Sequence, residues 1–96
     1  MGLLLDSASK VLGIPAEVLE TEAVRVWATQ KLCDVTRTIA EIAENYDAQS
    51  PDDIEAKIKQ GVLEGHPAWE DAIRWENLGE FKENLLKFLA EKGIRV

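Results

Sequence analysis

The chain has 96 residues, with 18 acidic against 11 basic side chains and a formal net charge of −7. A surface of that sign repels phosphate backbones, which excludes a general nucleic-acid binder, and this length makes one domain that buries roughly 60–68% of its unfolded surface. Cys33 is the only cysteine, so neither an internal disulfide nor a cysteine-based zinc site is available. A reducing, cytoplasmic setting fits.

Met1 to Leu5 is apolar but meets Asp6 at once, too short for a secretory or membrane-spanning segment, and no membrane association is expected. A short helix is predicted from Asp6 or Ser7 to about Leu12, with Gly13 in the left-handed position that ends it. Ile14-Pro15 restarts the chain. Residues 1–20 therefore read as a short helical hairpin covering one end of a bundle formed by residues 21–96. A helix-turn-helix reader of DNA does not fit, because Glu17, Glu20 and Glu22 would face phosphates.

A long helix follows, starting at Pro15 or at Thr21 and ending near Tyr46. Ala28, Leu32, Val35, Ile39, Ile42 and Tyr46 recur at alternating spacings of four and three, the signature of one buried stripe. Ser50-Pro51-Asp52-Asp53 supplies an N-cap serine, proline at the first helical position and acids in the first turn, which predicts a third helix to about Leu63. His66-Pro67 starts the last helix, which runs to about Glu91 with Leu78, Phe81, Leu85, Phe88 and Leu89 as its seam. The fold class is all-α, a small bundle of two long and two shorter helices, completed by self-association into a homodimer or homotetramer.

The acids fall on particular sides. At about 100° per residue, Glu44, Glu41 and Asp34 lie about 160°, 220° and 240° from the seam of the long helix, with Trp27 near 260°. In the last helix Glu76, Glu80 and Glu83 lie at about 160°, 200° and 140°, on a stripe that Trp69 and Ile73 continue upstream. Facing each other across a cleft, within one chain or between two, these carboxylates would suit Mg²⁺ or Mn²⁺. The plainer reading, favoured by spacing alone, is that an acidic protein places glutamate on its outer helix faces, with Glu83 and Lys87 as an i,i+4 pair. His66 reads as a cap or surface residue, Cys33 as an inert thiol, and Trp27, Trp69 and Trp75 as packing residues.

Glu41-Ile42-Ala43-Glu44, followed by Glu76-Asn77-Leu78-Gly79-Glu80, resembles the MazG-like all-α nucleoside triphosphate pyrophosphatases, in which ExxE on one helix and ExxD on the next hold Mg²⁺. Asn77 stands where the second motif has a carboxylate, and Glu80-Phe81-Lys82-Glu83 offers a shifted ExxE. The resemblance implies metal ligation by Glu41, Glu44, Glu76, Glu80 and Glu83, with Glu44 as general base toward the attacking water. Lys31, Arg37, Lys82 and Lys87 would meet the phosphates of a bound nucleotide, and Trp27, Trp69 or Trp75 would stack on its base. A non-enzymatic helical interaction module, including a regulator of antitoxin type, is the competing expectation.

Overall fold

The computed structural model describes residues 2–96. Four helices follow one another, α1 (Leu3–Leu12), α2 (Ala16–Tyr46), α3 (Pro51–Lys59) and α4 (Gly65–Glu91), and no strand occurs among the described residues. The all-α expectation holds. α2 is one unbroken helix from Ala16, because Thr21 donates its hydroxyl back to the Glu17 carbonyl 3.0 Å away and so continues the helix instead of capping a new one. α1 begins three residues before Asp6 with no side-chain cap. α3 stops at Lys59, since Gly61 takes φ +75° and turns the chain before Val62 and Leu63.

α2 and α4 run antiparallel. Tyr46 meets Asp71, Thr36 meets Lys82, and Ala28 packs with Leu85 and Leu89, so residue numbers rise on one helix as they fall on the other. The seam of α2 is as the spacing predicts: Ala28, Val35 and Ile42 are buried, and Leu32, Ile39 and Tyr46 are half-buried. On α4 the seam shifts. Leu85 and Leu89 are buried, but Phe81 and Phe88 are exposed, and toward the N-terminus the burial passes to Ala68 and Ala72. Small side chains there let α3 and α4 approach closely, and Ile54 fills the space with no exposure.

Two clusters make the core. One joins Ile42, Ala48, Ile54, Ala68 and Ala72, with Tyr46, Ile58, Leu63 and Trp75 against it. The other joins Ala28, Leu85 and Leu89, with Val24, Leu32 and Ile94 against it. The α2–α3 link is held by charge and caps. Lys57 donates its ammonium to the carbonyls of Tyr46 at 3.0 Å and Asp47 at 2.5 Å, satisfying acceptors at the negative end of α2. Ser50 accepts from the Asp53 amide at 3.1 Å while the Asp53 carboxylate accepts from the Gln49 amide at 3.1 Å.

The chain is elongated, spanning 61 × 22 × 19 Å. Its radius of gyration is 19.1 Å, against roughly 12.5 Å for a compact chain of this length. Ile54→Ala is expected to lower unfolding free energy by about 2–5 kcal/mol, and Ser50→Ala by about 1 kcal/mol. Val62→Ala, at an exposed turn position, should change it by no more than about 0.5 kcal/mol in the same urea titrations.

Candidate functional site

Two surfaces compete as the functional site. The first is the acidic one. Glu41 and Glu44 on α2 and Glu76, Glu80 and Glu83 on α4 are all exposed. The seams of α2 and α4 face each other, and both acidic stripes lie on the far side of their helices from those seams, so within one chain they look away from one another. Among the described residues no three His, Cys, Asp or Glu side chains come together as a metal-holding group.

Three of the four cations expected to meet phosphate, Lys31, Arg37 and Lys82, have partners of their own. Lys31 stands 6.0 Å from the centre of the Phe81 ring. Arg37 lies 3.6 Å from the Asp34 carboxylate and donates to the Cys33 sulfur at 3.5 Å. Lys82 crosses from α4 to donate to the Thr36 hydroxyl at 3.1 Å. Asp34 also accepts from the Gln30 amide at 3.2 Å. Trp75 packs on the core, whereas Trp27 and Trp69 are more than half exposed.

The second surface is apolar, and sequence reasoning passed over it. α1 carries Leu3, Leu4, Leu5, Ala8, Val11 and Leu12 in ten residues, yet none of its residues is buried. α1 does turn back on the start of α2, but α2 is unbroken across residues 20 and 21, so the expected hairpin of residues 1–20 is no separate unit and prolongs the bundle instead of covering its end. Its turn is firmly built: Gly13 takes φ +67°, the Gly13 and Ile14 amides both bond to the Ser9 carbonyl, and the Ser9 hydroxyl donates to the Ile14 carbonyl at 2.6 Å. α1 then leans on α2, where Leu4, Leu5 and Ala8 border a groove shared with Leu19 and Ala23. The same two residues continue into an open groove along α2 with Glu22, Val26, Trp27 and Gln30.

The signal for this face was present in the spacing. Leu19, Ala23, Val26 and Gln30 recur at intervals of four, three and four, a second stripe about 180° from the first. The Ala28-to-Tyr46 seam is longer and more apolar, and it masks the shorter stripe. Arg25 pairs with Glu22 along the rim of the groove.

One titrating group is displaced. The Tyr46 hydroxyl donates to the Asp71 carboxylate at 2.5 Å, and this bond, with burial and the negative charge of Asp71, pushes the Tyr46 pKa up to about 12. A folded pKa above the ordinary value near 10 means the bond contributes its full stability below pH about 10 and loses it as pH rises through about 12. Tyr46 is the only tyrosine, so an ultraviolet titration reads it directly. Its midpoint should stand near 12 in the folded chain and near 10 in denaturant. Tyr46→Phe should cost about 1 kcal/mol at neutral pH.

No helix among the described residues is long and apolar enough to cross a membrane. No curated protein and no solved structure matches the chain. A family model matches residues 1–94, helical hairpin and bundle together, and the chain belongs to that family, described as the Uncharacterized protein MJ0235 family.

Proposed function

We propose that this chain is a non-enzymatic helical assembly module whose working surface is α1 together with the N-terminal third of α2. The observation that carries the reading is the α1–α2 hairpin itself, two formed helices that present Leu4, Val11, Val18, Val26 and Trp27 to the outside while no residue of α1 is fully buried. A ten-residue helix is marginal in water without tertiary packing. A contiguous apolar face on such a helix is the mark of a surface that works when covered. With one exposed Cys33 and no disulfide, the proposed setting is the reducing cytoplasm.

The second reading is a Mg²⁺-dependent nucleoside triphosphate pyrophosphohydrolase of MazG-like type. What supports it is that Glu41 and Glu44 on α2, and Glu80 and Glu83 on α4, each put two carboxylates one helical turn apart. Because the two stripes diverge within a chain, this chemistry needs carboxylates from a second copy to complete a site.

The two readings separate in one assay. A panel of nucleoside triphosphates with Mg²⁺ or Mn²⁺ and pyrophosphate detection, run beside Glu41→Gln and Glu80→Gln, should show no release in any of the three proteins. Millimolar Mg²⁺ should leave the melting temperature where an equal ionic strength of NaCl leaves it, since screening alone acts on an acidic surface. Pyrophosphate release that Glu41→Gln abolishes would overturn the module reading.

A further inference from the structure

We infer that the occupant of the open groove is a second copy of this chain, seating its own α1–α2 hairpin there so that two hairpins close into a four-helix bundle about a two-fold axis. The inference rests on the assembly-module reading and names its partner.

Surface area carries the first step. The described residues expose 7051 Å², whereas a compact chain of 10.7 kDa exposes roughly 5,500 Å². The surplus is about 1,500 Å² per chain, so two chains covering each other's surplus form an interface of about 3,000 Å², within the range of permanent homodimers. Standard interfaces between independently folded proteins take about half that area.

Charge selects the face. Two copies that each carry −7 repel, and pairing the outer face of α2 over its C-terminal half, or the outer face of α4, would set Glu41 and Glu44, or Glu76, Glu80 and Glu83, against their own likeness. The groove at Leu19, Ala23, Val26 and Trp27 has Glu22 as its one charged lining residue, and Arg25 already pairs with it. Self-contact there meets less of the repulsion that the other surfaces impose.

Geometry completes the case. The stripe on α2 lies opposite the seam that binds α4, so a partner can dock without disturbing Ala28, Leu85 or Leu89. The groove between α1 and α2 runs without a break into the bare face of α2, sharing Leu19 and Ala23. A hairpin thus offers both a groove and a ridge, and an isologous contact needs both on the same patch. An anionic lipid surface, the other partner that an apolar helix suggests, meets an acidic chain whose α1 holds only Asp6 and Lys10 as charges.

Sedimentation of the full chain at micromolar concentration should give twice 10.7 kDa. Val26→Asp and Leu4→Asp should each weaken association by about thirtyfold or more, and Trp69→Glu, at the opposite end of the molecule, should leave it unchanged. Amide exchange of the unsubstituted chain needs no variant to fold: protection in α1 and residues 16–27 should rise with protein concentration, while α3 stays constant. A monomeric mass with exchange independent of concentration would overturn the inference. If that monomer also shows a fast-exchanging hairpin, the module reading survives with a different protein as partner; if the hairpin is slow-exchanging alone, both readings fall. Flotation with anionic vesicles in place of dimerisation would also sink it.

Discussion

The packing of one stripe of α2 against α4 is the constraint on which the remaining structure depends. Ala28, Val35 and Ile42 stand seven residues apart and are all buried, so α2 keeps one line of itself toward α4 over four turns. Alanine at Ala28 brings the backbones close beside Leu85 and Leu89, and Ile42 reaches the end where α3 closes over Ala68 and Ala72. Everything else is hung on that contact. α3 is tied to the end of α2 by the Lys57 ammonium and to α4 by Ile54. The tail after Gly93 returns Ile94 to Val24 and Leu89.

The antiparallel register has a cost at the other end. Tyr46 opposes Asp71, Ala28 opposes Leu89, and Glu20 and Thr21 share a pocket with Phe88, so with α4 ending at Glu91 it is the stretch of α2 before Glu20 that runs past α4. A helix of 31 residues is about 46 Å long, and its first turn projects past the bundle with α1 beside it. The elongation to 61 Å and the uncovered apolar face are therefore one fact seen twice. They follow from which turns of α4 are used by α3 and which remain for α2.

Much of this was legible in the residues, and what was not has a physical reason. A period of four and three gave the buried line of α2 from Ala28 to Tyr46, and Ser50-Pro51 gave the start of α3, because both are local properties of a helix. Thr21 left the start of α2 open between Pro15 and Thr21, since a threonine hydroxyl bonds either forward as a cap or back to the carbonyl four residues earlier, and it does the latter. Phe81 and Phe88 read as seam by their place in the apolar spacing, yet the line of α4 that faces α2 runs through Leu85 and Leu89, and the line that faces α3 runs through alanines. Periodicity assigns a residue to a face. It does not say what stands opposite that face, and so the positions of the acidic stripes were readable while their divergence was not.

That divergence bears on how the molecule can associate. The acids occupy the outer sides of α2 and α4 because the inner sides are taken by the seam, and together they leave the N-terminal hairpin as the large apolar surface without a matching acidic stripe. Charge elsewhere thus acts as a restriction on geometry: it discourages side-by-side pairing of bundles and leaves end-to-end pairing through α1 and α2 as the favourable contact. A bundle built this way gains its missing core from the same residues that make the isolated chain extended. Under that arrangement the length of α2 beyond α4 is the part of the fold that belongs to the assembly, and the α2–α4 seam is the part that belongs to the chain.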